Sequence, residues 1–170
     1  AAEQNDPDAQ YRVGRMFLSG EGTEQNTSKA IEWLEKAAVQ EDNGAAAYLL
    51  GKIYSSDEEP DFLDKVKARE YFRQAADKEH TFAQYQMGRI CGEEMEACQD
   101  ETQRESLMEE SRLYYAKALD GFLKAEAENG DVLYQGIIAR MYYNGLGTEQ
   151  DYEKAFVYYL KAAEQNDPDA

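Results

Sequence analysis

The sequence predicts an all-α fold, a right-handed α-solenoid of about four antiparallel helix pairs with one long inserted helix in the third unit. Three observations lead there. A segment recurs at a fixed step: AQYRVGRMF from Ala9, AAYLLGKIY from Ala46 and AQYQMGRIC from Ala83, with Tyr11, Tyr48, Tyr85 and Gly14, Gly51, Gly88 each spaced by 37 residues. A second pattern follows every copy: KAIEWLEKAA from Lys29, KAREYFRQAA from Lys67, KALDGFLKAE from Lys117 and KAFVYYLKAA from Lys154. The composition is rich in Tyr (13) and poor in Pro (3), which suits helices better than extended or disordered chain.

The first helix of each unit is marked by its small residue, Gly14, Gly51, Gly88 or, in a fourth copy running from Tyr134, Ala139. That residue lets a neighbouring backbone come close. Three positions on, Phe17, Tyr54, Cys91 and Tyr142 form a space-filling column. The second helix opens on Ala30, Ala68, Ala118 or Ala155 and closes seven residues later on Ala37, Ala75, Ala125 or Ala162. Leu34, Phe72, Phe122 and Tyr159 lie between them, completing an i, i+3, i+4, i+7 stripe. Such a pair cannot bury its stripe alone, so units must stack. The expected units are 6–43, 44–80, 81–130 and 131–167.

Boundaries follow from caps. Asn26, Asp64 and Asp151 stand three residues before the Lys-Ala pair, where a side-chain oxygen can take a free helical N–H. In the third unit Tyr114 holds that place and cannot cap. The box TQRE, Thr102 to Glu105, is the expected start of a helix running from about Thr102 to Asn129, behind an acidic loop around GEEMEACQD. Gly20-x-Gly22 and Gly145-x-Gly147 are expected to end helices through left-handed residues. The nonapeptide AAEQNDPDA both opens and closes the chain, at Ala1 and Ala162. It covers a helix end, a turn and a new helix start, with Asp6 or Asp167 as cap and Pro7 or Pro168 at the first helical position. GTEQ also recurs, at Gly22 and Gly147, so a recent duplication or a cut at a repeat boundary would each explain the match.

Composition narrows the function classes. The 35 acidic residues against 18 basic ones give a net charge of −17, which repels phosphate backbones and anionic lipid, so neither nucleic acid nor membrane is an expected partner. The chain does not begin with Met, as expected of an excised piece of a longer array. Cys91 and Cys98 allow one bridge or two free thiols, and free thiols are favoured. His80 is the sole His, so no histidine-based zinc set can form, and no nucleophile, base and orienting group can be assembled around it. A solvated or helix-end role is expected for it. Neither acidic cluster, SSDEEPD from Ser55 or GEEMEACQDE from Gly92, has the ligand spacing of a calcium loop. No metal, no cofactor and no catalytic residue is therefore expected.

The recurring residues, above all YRVGRMFLSGEGTEQNTSKAIEWLEKAA from Tyr11 and RMYYNGLGTEQDYEKAFVYYLKAA from Arg140, resemble the Sel-one-like repeat family, relatives of tetratricopeptide repeats. The likeness spans nearly the whole chain. It departs at SSDEEPDFL in the second unit, at the long insertion in the third, and at Gly136, which fills the first Tyr slot of the fourth. The resemblance implies a scaffold or adaptor for protein–protein interaction, with first helices lining a concave surface, and no chemistry.

On that surface one constellation stands out. The residue after each small position is basic: Arg15, Lys52, Arg89 and Arg140. Tyr11, Tyr48 and Tyr85 stand four residues earlier, and Tyr143 three residues after Arg140. A basic ladder flanked by Tyr suits an extended protein or peptide partner that carries carboxylates. Pairing of each cation with a Glu of a neighbouring helix, and a Tyr column used for helix packing, is the competing reading. Two further roles stay open: a module that stacks head to tail with its own copies, because KAFVYYLKAA lacks the polar face of a capping repeat, and a regulatory repeat region of a larger protein.

Overall fold

A computed structural model of the 170-residue chain describes residues 6–39 and 43–165. Those residues form eight α-helices and no strand. They belong to two compact units, residues 1–83 and 84–170.

The first unit holds α1 (Pro7–Ser19), α2 (Thr27–Ala38), α3 (Gly44–Ser55), a 3₁₀ turn (Pro60–Phe62) and α4 (Lys65–Asp77). Here α1 packs on α2, α3 packs on α4, and α3 also lies against α2. Helix α5 (Thr81–Ala97) begins at the end of this stretch and belongs mainly to the second unit. There α6 (Glu101–Asn129) packs on α7 (Val132–Asn144), and α7 on α8 (Tyr152–Gln165).

The expected caps are in place. Asn26 Oδ1 accepts from the Lys29 N–H, Asp64 Oδ1 from Val66 and Lys67, and Asp151 Oδ1 from Lys154. The same three residues also donate their own backbone N–H across the turn, to the carbonyls of Phe17, Tyr54 and Tyr142 at 2.8–2.9 Å. One residue thus ends one helix and begins the next. Asp6 caps α1 through the Asp8 and Ala9 N–H groups, with Pro7 leading the helix. The matching expectation for Asp167 and Pro168 lies outside the described residues. Gly20 and Gly145 close α1 and α7 in the left-handed region, at φ 74° and 68°.

In the first three pairs the glycine of the first helix accommodates a side chain, rather than only a backbone. A Cβ on Gly14 would lie 2.7 Å from Leu34 Cγ, and one on Gly51 would lie 2.6 Å from the Phe72 ring. Both large residues are buried completely or nearly so. On Gly88 the same Cβ would meet Tyr115 at 2.7 Å. The sequence alignment puts Phe122 in that column and Ala118 before it. In the packing, Tyr115 and Ser111 take these places, and the Ser111 hydroxyl donates to the Gly88 carbonyl at 2.7 Å. Ala118 and Phe122 sit two turns further along α6, both fully buried, where Phe122 meets Tyr85 and Tyr134.

The third pair therefore grows in two places. Gly88 to Ser111 spans 23 residues against 16 from Gly14 to Ala30, and Ser111 to Ala118 adds seven more within α6. The first addition does not form the expected acidic loop. Helix α5 runs on through Gly92 to Ala97 and leaves only residues 98–100 between helices. The cap is Asp100, which accepts from the Gln103 N–H at 2.7 Å, so Thr102 lies inside the helix rather than at its start. Asp100 wins because its carboxylate stands where the orphan N–H groups of the first turn converge, and an anion there also faces the positive end of the helix dipole.

The glycine geometry predicts opposite outcomes for two similar changes. Gly51→Ala must displace the buried Phe72 ring and is expected to lower stability by about 1–2 kcal/mol in urea unfolding. Gly136→Ala meets nothing within 4 Å in a helix and is expected to raise stability by about 0.5–1 kcal/mol.

Candidate functional site

The small residue of each first helix points at the second helix, so the residue after it, about 100° further round, turns outward. Arg15, Lys52, Arg89 and Arg140 are all exposed. In the first unit, Arg15 lies 5.9 Å from the ring of its own Tyr11, and Lys52 occupies the same register on α3. The Asn43 amide donates to the Pro7 carbonyl, which ties the start of α3 to the start of α1.

In the second unit the cations have internal partners. Arg89 donates through Nε to Gln86 and pairs with Glu93, an acid one turn on along the same helix rather than on a neighbour. The Arg140 guanidinium stands 5.5 Å from the Tyr85 ring. Tyr115 lies among these groups. Burial first, and Tyr85 second, push its hydroxyl up to about 12, while Arg89 and Arg140 act in the opposite sense.

The tyrosines divide by environment. Tyr48 is half-buried, stacked on His80 at 4.5 Å and tilted against Phe72 and Phe82. Tyr85 meets Tyr115 and Phe122 edge-on at 5.4 and 6.2 Å. These two serve helix packing while leaving an edge beside the cations. Tyr143 is exposed and packs edge-on against Tyr152 at 5.2 Å.

Three features are absent from the sequence reading. In three of the four units the Lys of the Lys-Ala pair lies over the aromatic of the first helix: Lys29 over Phe17, Lys67 over Tyr54 and Lys154 over Tyr142, at 4.9–5.5 Å. Tyr71 and Tyr158, from the second helices, stack on Tyr54 and Tyr142. This cation–π seam joins the helices of a pair. Its signal was the invariant Lys before each Ala. Four residues before the small position, Gln10, Gln84 and Gln135 are buried. Gln135 donates to Glu126 of α6, which also pairs with Lys161. The stretch SSDEEPDFL builds the 3₁₀ turn and helps wall a hollow of about 350 Å³ with Ile31, Tyr54 and Lys67.

His80 is a helix-end residue but not a solvated one. Its Nδ1 accepts the Ala83 N–H at 3.3 Å at the start of α5, beneath the Tyr48 ring. Burial lowers its pKa. Cys91 is a buried thiol and Cys98 a half-buried one, and the two are not bridged. Among the described residues no group of three or more His, Cys, Asp or Glu could hold a metal ion, and no helix is long and apolar enough to cross a membrane.

Helix pairs with a small-residue seat, a turn-spanning cap and outward-facing variable positions define a helical repeat protein. The Sel1 repeat model matches residues 7–42, 44–80 and 136–167, and the chain belongs to the Sel1 repeat family. The third pair, with its extra turns, lies outside the matched segments. Among solved structures, the chain is similar to a Sel1 repeat protein from Oxalobacter formigenes, with TM-score 0.62 and 26% identity over 96% of this chain and 60% of that one. It is also similar to c5321, a protective antigen present in uropathogenic Escherichia coli strains displaying an SLR fold, with TM-score 0.54 and 26% identity over 98% of this chain and 40% of that one. The chain thus spans only part of either protein. No curated protein sequence matches it significantly. Sel1 repeat proteins are non-catalytic helical scaffolds that generally mediate protein–protein interaction.

The placement of His80 has a direct readout. A His buried as the neutral form titrates below its ordinary value of about 6.5. As the sole His, its ring proton resonance is expected to shift with a midpoint below that value. A midpoint at or above it would contradict the stacked, acceptor geometry.

Proposed function

We propose that this chain is a non-enzymatic interaction scaffold that grips an extended protein segment bearing carboxylates along the outward face of its first helices. One observation carries the proposal. Every first helix exposes a cation at the same register, in a chain whose acids outnumber its bases almost two to one. Positive charge is scarce here, so its recurrence at one structural position is what a partner would read. Arg15 and Lys52 offer the more accessible pair, while Arg89 and Arg140 exchange internal partners for a ligand. The half-buried Tyr11 and the exposed Tyr143 flank the cations, and Tyr48 and Tyr85 are held by aromatic neighbours beside them. A planar guanidinium also suits a carboxylate, which it can hold through two parallel N–H bonds.

The test uses an Asp- and Glu-rich peptide in fluorescence anisotropy. Each exposed charge pair contributes roughly 0.5 kcal/mol, so Arg15→Glu, Lys52→Glu and Arg89→Glu together are expected to weaken binding by about tenfold or more. The far-UV circular dichroism should stay the same, because the side chains are exposed. Unchanged affinity in the triple variant would overturn the assignment.

A further inference from the structure

In the second unit, three helices bring two guanidiniums and two phenols into one cluster. Tyr85 of α5 meets Tyr115 of α6 edge-on at 5.4 Å, and the Arg140 guanidinium of α7 lies 5.5 Å from the Tyr85 ring. Arg89 stands one turn along α5 from Tyr85 and directly follows Gly88, whose Cβ would strike the Tyr115 ring. Both cations act on the Tyr115 hydroxyl, which burial keeps protonated and able to donate. Neither phenol hydroxyl hydrogen-bonds to another described residue. The ring contact of Arg140 supplies no oxygen to its N–H groups, and Arg140 pairs with no acid among the described residues. Arg89 differs, because it donates to Gln86 through Nε and to the Glu93 carboxylate through a terminal nitrogen. Among the described residues Arg15 and Lys52 of the first unit pair with no such acid.

We infer that the cluster of Arg89, Arg140, Tyr85 and Tyr115 is a site for a phosphoryl group carried on a side chain of the bound segment. The inference rests on the reading of the outward first-helix face as a binding surface, and it names what the second unit selects there. Competition decides the chemistry. Glu93 is a carboxylate tethered one turn from Arg89, so a ligand carboxylate that displaces it exchanges like for like and gains little. A phosphoryl group carries about −1.5 to −2 charge near neutral pH and three strong acceptor oxygens, so it outbids Glu93. Two guanidiniums and two hydroxyls also offer more donors than a carboxylate's two oxygens can use, and three oxygens can span both guanidiniums. The charges balance as well, because Arg89 and Arg140 together match a dianion once Glu93 turns aside. A single phosphoryl held here is a local match, unlike a nucleic-acid backbone that would run on into the acidic surface. Acids further than about 10 Å from it are largely screened at 0.1 M salt. The cations of the first unit have no acid to displace and stay open to carboxylates.

The experiment is fluorescence anisotropy of the whole chain with an Asp-containing peptide whose central residue is Ser, phosphoserine, phosphotyrosine or Glu. At least one phosphorylated form is expected to bind about tenfold tighter than the Ser and Glu forms. Arg89→Gln combined with Arg140→Gln should abolish that preference. Both side chains are exposed, so circular dichroism should show intact helices. Glu93→Gln removes the competitor and should tighten the phosphorylated form by about twofold or more. Arg15→Glu with Lys52→Glu should weaken every form alike and leave the ratio in place. A failure of the surface itself thus shows in that shared factor, and a failure of this site shows in the ratio. A Glu peptide that binds as tightly as both phosphorylated ones would overturn the proposal. So would a preference that survives the loss of Arg89 and Arg140, weaker phosphopeptide binding in Glu93→Gln, or displacement of the phosphopeptide by an equal concentration of inorganic phosphate.

Discussion

Everything in these two units depends on one steric fit, a large second-helix side chain seated over a residue with little or no Cβ bulk on the first helix. Leu34 over Gly14, Phe72 over Gly51 and Tyr115 over Gly88 are the same contact made with three different shapes. Close approach there brings the first-helix aromatic within reach of the second-helix Lys, and it sets the length of turn that the cap must span. The contact also fixes which residues look outward. With the small residue turned inward, the next position has no choice but solvent, and the four cations inherit their exposure from it.

The parts of this architecture that rest on local chain chemistry were legible in the sequence. Asn26, Asp64 and Asp151 were readable as caps because a cap needs only an oxygen and the next three N–H groups. The positive-φ glycines at the ends of α1 and α7 were readable for the same reason. What escaped was decided across helices. Lys117-Ala118 has the letters of a second-helix start, yet the register of α6 is set by Gly88 receiving Tyr115, which no motif announces. Asp100 and Thr102 are both good capping residues two positions apart, and the continuation of α5 to Ala97 selects between them. The Lys–aromatic seams and the buried Gln column were present as repeated letters. Their roles needed a partner on another helix, such as Phe17 for Lys29 or Glu126 for Gln135.

The candidate surface was legible as a pattern of charge and only partly as geometry. Its four cations could be read from one column, and their exposure follows from the helix period. The sequence could not show that Arg89 spends its guanidinium on Gln86 and Glu93, or that Arg140 leans on Tyr85 from another helix. The tyrosines nearest the cations have two duties. Tyr48 and Tyr85 are held by aromatic neighbours, so they offer a fixed edge that loses little freedom when a ligand arrives.

The addition within α6, from Ser111 to Ala118, measures seven residues, and the helix period gives that number its meaning. Seven residues turn an α-helix through two revolutions less about 20°, so a stripe interrupted by seven resumes on nearly the same side. Phe122 therefore stays inward after Tyr115, and both are used. Five residues would rotate everything downstream by about 140° and carry the core stripe into water. A helix of such a pair can thus lengthen by a double turn, adding roughly 10 Å while keeping the old seat occupied. Indel lengths in related chains should cluster at multiples of seven wherever they fall inside paired helices, and scatter freely only in the turns.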